Sequence, residues 1–282
     1  MAIERNCAML MLKARRDGAS FQRSLMLGHQ GLGLDDRAYR AFHHACGSRP
    51  ASTRPAYADD LFPALGADQV DVMDFSGYEG ANLLHDLNQP VPAAWHGQFD
   101  VVVDGGTLEH VFNIPVALRN VMELLRPGGR FLSATIPNNW CGHGFYQFSP
   151  ELFFRVFSPE NGFRIEGMFM AEIDGSRWWS VRDPAVARSR VELVNDRPVY
   201  LLVQAVRDAV VPVLAATPQQ SDYVVAWSGD HGPARHAAWK QRLRSLPILR
   251  SLDAARRRRQ VQRWASFNNS NLYTPFIPPV RL

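Results

Sequence analysis

The chain contains only three cysteines, Cys7, Cys46 and Cys141, and no two of them share a pairing or metal-ligand spacing. That scarcity argues against a disulfide framework and a cysteine-based zinc site, and it fits a reducing, cytoplasmic setting. Long apolar runs are missing too. CAMLML, near the start, is too short to span a bilayer. Arg15 and Arg16 follow it, whereas the basic residues of a secretory signal precede the apolar run. It reads as a short helix packed on the body. The chain lacks any internal repeat and any GxGxxG, which disfavours a nicotinamide-dependent dehydrogenase. What remains is ordinary globular material, 282 residues with 46% apolar and 21% charged, enough for a substantial core.

Charge is modest in sum, +4, but unevenly placed. Residues 208–282 carry +7 and residues 1–207 carry −3. The expected organisation is therefore an α/β domain over 1–207 and a basic, largely helical extension over 208–282, serving as lid, substrate contact or oligomer contact. The run Arg256 to Arg259 has three readings: a solvated helix face, a contact for an anionic acceptor, or a phosphate contact. Nucleic acid is disfavoured, because no RNA-binding motif and little aromatic interleaving accompany the arginines. SRWWSVRDP reads as a substrate lid or an oligomer contact, with a homodimer compatible, since paired tryptophans are costly to expose.

The body alternates strand and helix patterns. Strands are expected at Gln22–Gly28, at QVDVMDF ending near Asp74, at Ala81–Leu87, at Phe99–Val103 and at Phe131–Ile136. Phe99–Val103 is almost continuously apolar, as a strand covered on both faces should be. Ile114, Leu118, Val121 and Leu125 form one apolar helical stripe, and Pro127 with Gly128 is expected to stop that helix. Ser149 before Pro150 predicts a helix start at ELFFRVF. RIEGMFM and VYLLVQAV read as the last two strands. The alternation implies a doubly wound, mostly parallel sheet.

Such sheets bind ligands beyond the carboxyl ends of their strands, near the point where strand order reverses. Four strand ends carry suitable groups: Gly28 with Gly31 and Gly33, then Asp74, then Asp86, then Asp104 to His110. Glycines let backbone approach a ligand closely. An acid after the second strand can accept from ribose hydroxyls, and one after the third from an adenine amine. Each also has a plainer reading as a turn residue, and Glu109 as a first-turn acid favoured by the helix dipole.

The run FDVVVDGGTLEHV…ALRNVMELLRPGGRFLSATIP, with HDL at His85 to Leu87 and FYQFSPELFFRVF, resembles the class I S-adenosylmethionine-dependent methyltransferases. The resemblance covers roughly residues 24–207 and implies a seven-stranded sheet closed by a reversed hairpin. It implies S-adenosylmethionine as cofactor, with Gly28, Gly31 and Gly33 along its methionine part. Asp74 would bind the ribose, Asp86 the adenine amine, and Asp104 with Gly105 would lie alongside. Met26 stands where the family usually has an acid, and the glycines read GHQGLG rather than GxGxG. That departure keeps open a second reading, a non-catalytic partner subunit of the same fold.

Methyl transfer depends mainly on holding a nucleophile in line with the methyl group. A hydroxyl acceptor also needs a base, for which His110 and His143 are the candidates, with no metal expected. Asn138, Trp140 and Tyr146, in the loop Pro137 to Phe148, are expected to contact a small-molecule acceptor, sugar-containing or a secondary metabolite, with a hydroxyl target preferred over an amine.

Overall fold

A computed structural model describes residues 2–227 and 264–282. A short strand β1 (Ala2–Ile3) leads into helix α1 (Arg5–Arg16), strand β2 (Arg23–Leu27), strand β3 (Gly31–Leu32) and helices α2 (Asp36–Cys46) and α3 (Leu61–Leu65). Strands β4 (Gln69–Asp74), β5 (Leu83–Leu84) and β6 (Phe99–Asp104) follow, then α4 (Ile114–Leu124), β7 (Leu125–Asn138) and α5 (Pro150–Val156). The remainder comprises β8 (Phe163–Glu172), β9 (Trp178–Val181), α6 (Pro184–Ala187), β10 (Val199–Arg207), α7 (Ser221–Trp227) and β11 (Tyr273–Phe276).

Nine strands form the main sheet in the order β11-β9-β8-β10-β7-β6-β2-β4-β5, and β1 pairs with β3 separately. From β5 to β7 all neighbours are parallel, while β10 runs antiparallel to both β7 and β8. Alternation along the central strands sorts side chains onto two covered faces. Leu25, Leu27 and Val102 enter one core with the α4 and α5 side chains, and Met26, Val101 and Val103 enter the other with those of α1 and α2. Period-two patterning with both faces apolar is why these strands read as continuous hydrophobic runs. The chain leaves β2 toward β4 and later returns to its other side as β6. The order therefore reverses at β2/β6, which locates the ligand end of the sheet.

Several expectations change here. The sheet has nine strands rather than seven, because β9 and β11 extend its edge. SRWWSVRDP supplies β9, not a lid: Trp178 and Trp179 are buried, and Trp178 Nε1 donates to Asn6 Oδ1 at 2.8 Å. NLYTPFIPPVRL supplies β11, paired with β9, so Pro275 sits on an edge strand that tolerates a missing donor, and Pro278 and Pro279 follow the strand. The tail thus rejoins the body's sheet, and Arg256 to Arg259 lie outside the described residues. Finally, α4 ends at Leu124 and β7 starts at once. The Pro-Gly-Gly segment is an irregularity inside that strand, where the pairing register with β6 slips between Phe99 and Val101. Gly129 is required there, since a Cβ would lie 3.0 Å from the Phe99 carbonyl oxygen. The strand at Ala81–Leu87 is also shorter than expected, only Leu83–Leu84.

Candidate functional site

The chain turns out of β2 at Gly28, whose φ of 67° lies in the left-handed region glycine favours and whose N–H donates to the Met73 carbonyl at 2.8 Å. His29 then bridges the Glu79 carbonyl and the Asp59 carboxylate and stacks on Tyr57, ring centroids 3.8 Å apart. Burial opposes its charge, but those two oxygens prevail and hold its pKa above the ordinary histidine value. Gln30 is fully buried across the β2/β6 junction. Its Nε2 donates to the Leu27 carbonyl (2.7 Å) and to Thr107 Oγ1 (2.9 Å), while Oε1 is buried without a donor. Gly105 abuts it so closely that a Cβ would lie 3.0 Å from Gln30 Oε1 and 2.9 Å from Ile3 Cδ1.

Two of the expected glycines lie against the N-terminal strand. Gly31 pairs with Ala2 in the small parallel ladder, and Gly33 N–H donates to the Ile3 carbonyl at 3.0 Å. A Cβ on Gly33 would meet the Ile3–Glu4 backbone and Glu4 Cγ at 3.0–3.3 Å, so that glycine admits the N-terminal strand. Asp104 is likewise turned inward. It is fully buried and accepts from Thr107 N (2.8 Å), Leu108 N (3.3 Å) and Ser133 Oγ (2.7 Å), fixing the loop after β6. Asp74 and Asp86 remain half-buried at adjacent strand ends. Asp74 Oδ1 accepts from Phe75 N–H at 2.6 Å; Asp86 Oδ1 accepts from the backbone and side-chain nitrogens of Asn88, which lower its pKa.

A cavity of about 280 Å³ opens beyond β6 and β7, lined by Gly105, Gly106, Glu109, Ala134, Ile136, Trp140 and His143. Residues from the chain's start and from β10 complete its wall: Ala2, Glu4, Asn6, Cys7 and Tyr200, whose hydroxyl donates to Glu4 Oε2 at 2.9 Å. Glu109 is its most buried acid at 1% exposure, with Oε2 accepting from Thr135 Oγ1 at 3.1 Å. Its backbone carbonyl accepts from Phe145 N–H (2.7 Å) and Tyr146 N–H (3.3 Å), which docks the 140–146 loop onto residue 109. Gly144 makes the approach feasible: its φ is +67°, and a Cβ would lie 2.7 Å from that carbonyl oxygen. Docking brings His143 Nε2 to 3.8 Å from Glu109 Oε1 and its ring to 4.8 Å from that of His110.

Burial raises the pKa of both Asp104 and Glu109. At Asp104 the hydrogen bonds from Ser133, Thr107 and Leu108 oppose that rise. Burial first and the Asp104 charge second push Glu109 up to about 8. Burial and the neighbouring His143 press His110 below its usual value. Burial also raises the Cys7 thiol and the Tyr200 phenol.

The structure thus joins Trp140 and His143 at the cavity, with His110 against His143 on the outer side. It does not bring Asn138 or Tyr146 there. Asn138 Nδ2 donates to Asn195 Oδ1 (2.8 Å), and Tyr146 donates through its hydroxyl to the Phe112 carbonyl (2.8 Å). Glu4, Cys7, Gln30 and Tyr200 escaped the sequence reading, because they reach the site only through long-range packing. Glu109 was legible, as an acid beside a strand end, but its burial was not. Glu109, His110 and His143 each offer one ligand atom, all within 4.8 Å of one another, the spacing at which side chains can share a cation.

The main sheet is of the open α/β kind that binds ligands at the carboxyl ends of its parallel strands. Residues 80–133 match the family described as "Methyltransferase domain". No curated protein matches the chain. Among solved structures, it is similar to an S-adenosylmethionine-dependent methyltransferase from Mesorhizobium loti, at 20% identity and TM-score 0.39, covering 69% of this chain and 96% of that one. It is also similar to the N-methyltransferase NodS from Bradyrhizobium japonicum, in complex with S-adenosylhomocysteine, at 15% identity and TM-score 0.38, covering 73% and 86%. A third is a branched-chain polyamine synthase mutein from Thermus thermophilus, at 16% identity and TM-score 0.37, covering 73% of this chain. The chain spans 57% of the length of that last protein.

Proposed function

We propose that the chain transfers a methyl group from S-adenosylmethionine to a hydroxyl or amine of a small molecule held in the cavity between Glu109, His143, Trp140 and Tyr200. The observation that carries this reading is that cavity, placed beside the β2/β6 switch point and closed by a docked loop. Asp74 and Asp86 would hold ribose and adenine, and Gly28 would let the first turn approach the cofactor. The buried, donorless Oε1 of Gln30 beside Gly105 fits the ammonium at the cofactor's methionine end. When bound, S-adenosylmethionine supplies an electrophilic methyl group on a sulfonium. The protein's part is to orient the acceptor, exclude water with Trp140 and the docked loop, and accept a proton at an imidazole nitrogen, His143 from inside the cavity and His110 behind it. Among the described residues the lining offers Glu4 and Glu109 but no lysine or arginine, which suits a neutral, hydroxylated acceptor better than an anion.

Calorimetry with S-adenosylhomocysteine, followed by turnover of His143→Ala and His110→Ala, tests the reading. Cofactor binding with turnover lost in His143→Ala is expected, and unchanged turnover in both variants would refute the base assignment. Gln30 and Ile3 packed against Gly105 favour one other reading, a partner subunit of the same fold without cofactor, which predicts no heat with S-adenosylhomocysteine.

A further inference from the structure

We propose that Glu109, His110 and His143 form a binding site for one divalent transition-metal ion in the wall of the cavity, where the 140–146 loop docks on residue 109. The claim rests on how the three side chains are held. Glu109 Oε1 and His143 Nε2 stand 3.8 Å apart, too far for a hydrogen bond and close to the separation of two ligands on one ion. Ligand atoms bound to one such ion at ordinary lengths lie about 3 to 3.5 Å from each other. All three ligand atoms here lie within 4.8 Å. The remaining closure falls on His110, which is exposed, and on His143, whose side chain is 42% exposed, both free to adjust. Glu109 is the rigid member, and Thr135 Oγ1 holds its other oxygen as an outer-shell donor orients a ligating carboxylate. The main-chain bonds from Phe145 and Tyr146 to the Glu109 carbonyl fix the distance between the two halves of the set before any ion arrives.

Two imidazoles and one carboxylate select zinc, manganese, iron, cobalt or nickel over magnesium or calcium, which prefer all-oxygen sets. Three protein ligands leave positions open, and Glu109 and His143 both face the cavity, so an open position faces the acceptor. This extends the proposed methyl transfer and rests on that reading of the cavity as the acceptor site. An acceptor hydroxyl on the ion releases its proton to water more readily, as metal-bound water does. The oxygen then bonds to the methyl carbon while the carbon–sulfur pair returns to sulfur. Under this scheme His110 and His143 hold the ion, which replaces the proton-accepting role proposed for them above while keeping the cavity as the acceptor site.

The test uses the full chain without an affinity tag, stripped with a chelator and titrated with Co(II), reading visible absorption and bound metal per chain. One equivalent is expected. Affinity is expected to fall at least tenfold in His143→Ala and in Glu109→Gln, and roughly tenfold in Thr135→Val. Less than a fifth of an equivalent bound, or uptake unchanged in both His143→Ala and Glu109→Gln, overturns the site. His143 stands on an exposed loop, so its variant remains informative if Glu109→Gln fails to fold. S-adenosylhomocysteine calorimetry on the same samples separates the two readings: metal uptake without cofactor heat removes the methyl-transfer reading alone, and cofactor heat without metal uptake removes the metal site alone.

Discussion

Replacing Gly144 with alanine tests whether the 140–146 loop is held by its contact with Glu109. An alanine there would keep a positive φ that costs an L-residue about 1–2 kcal/mol. Its Cβ would also stand 2.7 Å from the Glu109 carbonyl oxygen and 3.1 Å from the carbonyl carbon, inside van der Waals contact with rigid backbone. Relief requires the loop to back away, loosening the Phe145 N–H bond to that carbonyl, worth about 0.5–1.5 kcal/mol net. Together these favour the undocked loop by about 2–3 kcal/mol, a roughly 30- to 150-fold gain in its population. Hydrogen exchange reads this directly as faster exchange of the Phe145 and Tyr146 amides, with the β6 and β7 amides unchanged. His143 would lose its register with Glu109, so turnover or metal uptake should fall while S-adenosylhomocysteine affinity holds. Unaltered protection at Phe145 in Gly144→Ala would refute the argument that this contact docks the loop.

Asp74→Asn should weaken S-adenosylhomocysteine binding about tenfold or more, the loss of a charge-assisted bond to a ribose hydroxyl, with little change in Tm, as calorimetry and melting would show. Trp178→Ala removes a side chain 1% exposed together with its bond to Asn6, and should cost about 3–5 kcal/mol in a urea unfolding midpoint. His29→Gln should show a pH-dependent penalty. The folded pKa lies above the unfolded value, so the ion pair's stabilisation is fully present below the unfolded pKa and lost as pH rises through the folded one. The Tm deficit of that variant should therefore be larger near pH 5.5 than near pH 8.5, and an equal deficit at both would dismiss the pairing with Asp59 and Glu79.

Local signals carried much of the fold. β2, β4, β6 and the two long closing strands were legible because burial on both faces leaves a nearly unbroken apolar run between turn residues. Helix α4 was legible from its single apolar stripe, although its end was misplaced, because proline and glycine accommodate a bulge within a strand as readily as they stop a helix. Strands β9 and β11 were not legible: WWSV and YTPF have no alternation of their own and become strands by pairing, β9 on β8 and β11 on β9.

The candidate site divides in the same way. By itself the sequence determined the parallel core of the sheet and put Asp74, Asp86 and Glu109 at or just after its strand ends, because strand ends and turn residues are local properties of the chain. Only the tertiary structure decided that Gly31 and Gly33 lie against the N-terminal strand, that Asp104 turns inward, and that Gln30 fills the β2/β6 junction. It also decided that Glu4 and Cys7 meet Tyr200 around Glu109. Those juxtapositions join residues far apart in the chain, and side-chain burial, with the pKa shifts it produces, depends on what the folded chain packs against each group.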